Sequence, residues 1–343
     1  MQLNERKFMI LRAIIDDYIS TAVPVGSRTV SRKSGVGFSP ATIRNEMSDL
    51  EELGYLDQPH TSAGRIPSDK AYRLYVDRLM NPLRLTDDEG ERMQDRISAE
   101  MRNVDSVIRS AARILADATR YTSVIIAPKL STLKLKHLQL VPVSENLALL
   151  VIVTNLGIVK DSVINIPPGM DADELYMISR LLTERLSDLP LEGVRRVFSE
   201  ILRDGEHNRR LLGETLRVIE NKLEAEDSSE MVVSGSSKLL DYPEYADVEK
   251  AKRFLAVLDS KEKLRGVLRN DGGMEVSIRI GAENELPELS DCSIVTVRYR
   301  VGRDSGGTMG IIGPTRMNYG RVVSVLDFMG RAVSELLSKR NGE

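Results

Sequence analysis

The tightest constraint in this chain is a serine followed by a proline, with no further glycine or proline until Gly54. Ser39 suits a helix N-cap, and Pro40 then takes the first helical position, where its missing N–H costs nothing. The spacing predicts a helix over 40–53, closed by Gly54 in the left-handed conformation. Ile43, Met47 and Leu50 fall on one face, which must turn to a core, while Ala41, Arg44, Asn45 and Ser48 fall on the other. Upstream, Ser27 is placed to cap a short helix over 28–33, which Gly35 and Gly37 break. Downstream, 55–58 reads as a strand and 60–64 as the tip of a hairpin returning through Arg65. Helix, turn, helix and hairpin in this order form a winged helix-turn-helix.

Charge placement separates a DNA-reading surface from an ordinary solvated module. No Asp or Glu occurs between Asp17 and Glu46, a gap that holds Arg28, Arg32, Lys33 and Arg44. A second acid-free gap, between Asp57 and Asp69, holds His60 and Arg65. Phosphate-facing surfaces need such local patches whatever the net charge. Arg44, Asn45 and Ser48 are the candidates for base contact, since Arg suits guanine and Asn suits adenine. Arg28, Arg32, Lys33 and Thr42 are expected at the DNA backbone, and His60, Thr61 and Arg65 on the wing. Residues 1–80 carry 11 Lys and Arg against 10 Asp and Glu. One copy should therefore bind weakly, which favours a dimer that doubles the contacts.

Around this unit the chain reads as a multidomain α+β protein. A first helix over 4–19 carries Phe8, Leu11, Ile15 and Tyr18 as a stripe. A helix over 69–80 follows the wing, and Asn81-Pro82 ends the first domain. Thr86 and Glu89 form a capping-box signature, after which the spacing predicts one long helix to about Thr119. Its three-and-four spacing suits either a coiled-coil seam or a stripe packed on a sheet. From Tyr121 the period changes. SVIIAPK, KHLQLVPVS, LALLVIVTN and GIVKDSVINIP are β-branched runs expected to share an antiparallel sheet. Asp171 and Glu174 open another helix. Residues 188–270 look mainly helical with one short strand, MVVSGSSKLL, before strands resume with MEVSIRIG, CSIVTVRYRVG and GTMGIIGP and a last helix over 318–337. The interruption predicts an α/β domain over 83–187 and 271–343 with 188–270 inserted into it. Phe254, Leu255 and Leu258 form a stripe in that segment, fit for dimerisation or for a small core of its own.

Other chemistry finds little support. His60, His137 and His207 make no spaced ligand set with Cys292, so no metal, cofactor or catalytic constellation is expected. Gly302 to Gly310 lacks the Gly-Lys-Ser/Thr ending of a phosphate loop and is expected to be a long loop between strands. A single cysteine and the absence of a long apolar run point to the cytoplasm, with no membrane span.

The segments GSRTVSRKSGVGFSPATIRNEMSDLEELGYLDQPHTSAGRIPSDKAYRLYVD, SGSSKLLDYPEY and IIGPTRMNYGRVVSVLDFMGRAV resemble, in order, the HrcA family of bacterial heat-inducible transcription repressors. The resemblance implies a winged helix, a GAF-like domain and a dimerisation domain inserted into it. It further implies a homodimer on double-stranded DNA at a CIRCE-type inverted-repeat operator, kept active by the GroEL chaperonin. The alternative is a winged-helix regulator controlled by a small ligand in the GAF-like domain.

Overall fold

A computed structural model of the chain describes residues 3–33, 36–60, 63–80, 84–99, 104–128, 134–155, 157–190, 193–204, 209–225, 231–268, 276–301 and 305–339. The first helix, α1 (Glu5–Thr21), is capped by Asn4 and buries Ile10, Leu11, Ile14 and Ile15. Phe8 and Tyr18, expected in the same stripe, are half-buried at its rim. α2 (Ser27–Ser31) and α3 (Pro40–Glu52) pack on it, and β1 (Leu56–Asp57) pairs antiparallel with β2 (Ile66–Pro67). Ser27 does not cap α2. Gly26 takes that position without a side-chain bond, and Ser27 is buried in the first turn. α4 (Asp69–Leu74) continues into one π turn, Tyr75–Leu79.

The single long helix expected after Thr86 is instead two. Thr86 and Glu89 do form the reciprocal cap of α5 (Asp87–Ala99), and α6 (Val104–Thr119) follows. Arg96 and Asp117 form an ion pair at 3.1 Å. In a continuous helix residues 21 apart would be separated by roughly 30 Å, so the chain has turned back on itself. The apolar spacing is the same for a straight helix and a hairpin, which is why the sequence does not distinguish them.

Two sheets follow. The larger has five antiparallel strands in the order β7 (Met231–Ser234), β3 (Thr122–Ile126), β10 (Ser305–Pro314), β9 (Cys292–Val301), β8 (Ser277–Ile280). Its residues alternate between two cores. Ile125, Val295 and Ile311 join the core of α6 and α12 (Tyr319–Lys339). Val124, Ile294 and Ile312 join that of α10 (Val248–Asp259) and α11 (Lys261–Leu268). This alternation makes a helix–sheet–helix sandwich. The smaller sheet orders β4 (Leu135–Ser144), β5 (Leu147–Thr154) and β6 (Val159–Asn165). α7 (Ala172–Leu186), capped reciprocally by Asp171 and Glu174, covers one of its faces, and α8 (Val194–Asp204) and α9 (Arg209–Ala225) complete the unit.

The sheets therefore break the chain at other points than 188 and 270. Ile126 is paired with Met231, so the large sheet is left after β3 and re-entered at β7. The four runs expected in one sheet split, with SVIIAPK in the large sheet and the other three in the small one. Alternation identifies a strand but not its partner. Phe254 and Leu258 lie in the core of α10 and α11 with Val124, Cys292 and Ile294, so neither is available to a second copy; Leu255 alone of the three is exposed. The glycine-rich segment, expected as a long loop over 302–310, is strand from Ser305 on, and 302–304 lie outside the described residues. Ser305 to Gly310 pair with β9, where Gly307 leaves room for the Tyr299 ring and Gly310 for Leu268.

Candidate nucleic-acid interface

α3 begins as its sequence dictates. Ser39 accepts a hydrogen bond from the Thr42 amide at 3.2 Å, Pro40 occupies the first turn, and Gly54 follows the helix with φ +76°. Ile43, Met47 and Leu50 are buried, and Ala41, Arg44, Asn45 and Ser48 are exposed. The inner face holds something the sequence reading missed. Lys7 of α1 is buried beneath α3, with its ammonium 2.6 Å from Glu46 and 2.7 Å from Asp49; Arg6 reaches Glu46 at 3.3 Å. The two carboxylates, Asp49 foremost, raise the Lys7 pKa above its ordinary range. The signal was present: Lys7 lies four residues before Leu11, and Glu46 sits between Ile43 and Leu50, so each charge falls on an apolar stripe. Buried charges on facing stripes must pair.

The wing is tied to the rest of the domain. Val25 and Arg65 exchange two backbone hydrogen bonds at 2.9 Å, joining the chain before α2 to the return strand. A Cβ on Gly64 would run into the backbone of Pro24 and Val25, so only glycine allows this approach. The Ala63 amide donates to the His60 carbonyl at 2.8 Å.

The expected contact residues fall into two groups. Arg28, Arg32, Arg44, Asn45, Ser48 and His60 are exposed. Among the described residues, no carboxylate lies within ion-pairing distance of Arg28, Arg32 or Arg44. The others are engaged internally. Lys33 pairs with Asp17 at 2.5 Å, Arg65 pairs with Glu51 at 2.7 Å, and the Thr42 hydroxyl shares a hydrogen bond with Ser39 at 2.9 Å. Thr61 lies outside the described residues. The face thus offers guanidinium, amide and hydroxyl groups on one helix, and α2 and its C-cap add two further exposed arginines. Such a face can donate to base edges and phosphates.

Comparison with known proteins bears on the whole chain. The family model for the HrcA protein C-terminal domain matches residues 105–323. A heat-inducible transcription repressor HrcA of Brevibacillus brevis is 40% identical over 339 residues, covering 98% of this chain and 99% of its own. Its counterpart from Symbiobacterium thermophilum is 43% identical over 336 residues, covering 97% and 98%. A crystal structure described as that of a hypothetical protein at 2.2 Å resolution superposes with a TM-score of 0.70 at 28% identity, over 99% of this chain and all of its own.

Proposed function

The chain belongs to the HrcA family of heat-inducible transcription repressors, and we propose that it binds an inverted-repeat operator as a homodimer through the outer face of α3. The observation that carries this reading is the pairing pattern. Arg44 on α3, with Arg28 and Arg32 on α2 and its C-cap, is left without a carboxylate partner among the described residues, while Lys7 beneath the helix is paired with Glu46 and Asp49. Arg44, Asn45 and Ser48 read base edges; Arg28 and Arg32 hold phosphates, with Thr42 and Lys33 in lesser roles. His60 and Thr61 follow the backbone from the wing, with Arg65, which pairs with Glu51, in a lesser role.

The sheet order supports a revised division of labour. Residues 1–82 bind DNA, 83–126 and 231–343 form the GAF-like unit, and 127–230 form the inserted dimerisation unit. The inserted unit exposes Val143, Val159 and Val163 on its strands and Tyr176 and Met177 on α7, apolar surface of the kind a second copy covers. The operator is of the CIRCE type, and the GroEL chaperonin keeps the repressor competent in the cytoplasm. No helix among the described residues is long and apolar enough to cross a membrane.

Binding to a fluorescent CIRCE-type inverted repeat and to a scrambled duplex, across a salt series and with and without GroEL, tests this reading. Tighter binding to the inverted repeat, with a steep salt slope and improvement by the chaperonin, is the expected result. Equal weak binding to both duplexes under all conditions would overturn it.

A further inference from the structure

A second set of polar contacts lies on α4 and at the end of α1, and it joins the first domain to the large sheet. Asp69 accepts a hydrogen bond from the Ala282 amide at 2.9 Å. Gly281 beside it has φ +53°, and a Cβ there would overlap the Asp69 carboxylate, so this turn after β8 admits only glycine. Arg73 donates from Nε to Glu283 at 2.8 Å, pairs through a second nitrogen with the other Glu283 oxygen, and donates to the Ile278 carbonyl at 2.7 Å. Glu283 is itself held by the Ile280 amide at 2.9 Å.

Arg316, buried just after β10, donates to the Ile19 carbonyl at 3.1 Å. That carbonyl is among the last four of α1, which have no partner within the helix. The same guanidinium pairs with Glu244, at 3.1 Å through one nitrogen and more closely through Nε, and lies 5.5 Å from the Tyr242 ring. The large-sheet unit therefore caps a helix of the DNA-binding domain. Between these contacts the buried rings of Tyr72 and Tyr319 meet at 6.0 Å.

We propose that Asp69, Arg73 and Arg316 are positioning residues that fix how the winged helix sits on the large-sheet unit, and so set the half-site spacing that the dimer accepts. The proposal rests on the dimeric operator reading above. In a dimer held together elsewhere, the distance and rotation between the two α3 helices follow from the orientation of each winged helix on its support. One base pair of added spacer rotates a half-site by roughly 34°, so a rigid seam admits one spacing and a loose seam admits many. The contacts suit that task. Bidentate arginine–carboxylate pairs are directional, and they brace the domain at separate points, the end of α1 and the body of α4.

The test compares wild type, Arg73→Glu and the charge-swapped pair Arg73→Glu with Glu283→Arg. Each is measured on a duplex with one half-site and on inverted repeats whose spacer varies by one base pair at a time. Spin labels at Asp57→Cys in the wing and Glu262→Cys in α11 report the docking without DNA. The native Cys292 is buried, which pushes its thiol up to about 12 and keeps it from labelling. Wild type should prefer one spacing by about tenfold or more and give one narrow distance distribution. Arg73→Glu should bind the single half-site as wild type does but spread to within about threefold across spacings, with a broad distance distribution. The charge swap should restore both. Arg73→Glu retaining the spacing preference and the narrow distribution would overturn the proposal. Wild type failing on every duplex, single half-site and inverted repeats alike, would sink the DNA reading and the spacing role with it, and the distances would still report whether Arg73 holds the domain.

Discussion

On the inner face of α3, Glu46 and Asp49 lie 2.6 and 2.7 Å from the buried ammonium of Lys7. On its outer face Arg44 meets no carboxylate among the described residues, and neither do Arg28 in α2 and Arg32 at its C-cap. The same residue classes, within one 80-residue stretch of nearly balanced charge, thus serve opposite purposes. Charges that find partners under the helix fix its orientation on α1; charges left without partners stay available to an external anion. Net charge reports neither, and only the pairing pattern separates them.

The largest effect that would sharpen this contrast is expected at Lys7. Replacing it by Ala leaves Glu46 nearly buried, with only the distant end of Arg6 beside it, at a cost of about 3 kcal/mol. Denaturant unfolding should show that loss, and operator binding should fail with it. Arg44→Ala should behave in the opposite way: stability within about 0.5 kcal/mol of wild type, but operator affinity weaker by about 2 kcal/mol and discrimination relaxed. Equal losses on operator and random duplexes would show that Arg44 does not read bases.

A smaller effect is expected at a paired charge outside the DNA-binding domain. Hydrogen bonds from Arg321 and from the Thr86 amide hold Glu89 at about 2, well below its ordinary 4.5. A carboxyl depressed on folding contributes stability above its unfolded value and loses it as the pH falls toward the folded one. Glu89→Gln should therefore melt below wild type at neutral pH, by about 1 kcal/mol or less. The two curves should converge as the pH falls from 4.5 toward 2. The smallest effect belongs to Lys33. Its ion pair with Asp17 leaves it little charge to offer phosphate, so Lys33→Ala should change the salt slope of binding by less than about one. A full unit would mean that Lys33 abandons Asp17 for DNA.

Legibility in the sequence followed the range of the forces involved. The limits of α3, its cap and its exposed face were readable because Ser39, Pro40 and Gly54 act within a few residues of themselves. The caps at Thr86 and Asp171 were readable for the same reason. Long-range choices were not. β3 pairs with β7 and β10 rather than with β4, and nothing in the alternation of TSVII marks that. The reversal of direction from α5 to α6 falls within a spacing that runs on unbroken in sequence. Lys7 escaped notice because a lysine on an apolar stripe passes for a surface residue until its carboxylate partners, some forty residues away, are known. Phe254 and Leu258 were right as an apolar stripe and wrong as a dimer surface, since periodicity identifies a buried face without saying what buries it.

Site-directed photocrosslinking tests most directly whether the outer face of α3 is the DNA surface. A photoreactive side chain would be placed at Ser48 on that face, or at Met9, which is 43% exposed on α1. Each full-length protein would then be irradiated on the operator duplex. Crosslinks to bases from position 48 and none from position 9 are the predicted result. Crosslinking from position 9, or silence from position 48 while the operator stays bound, would contradict the account.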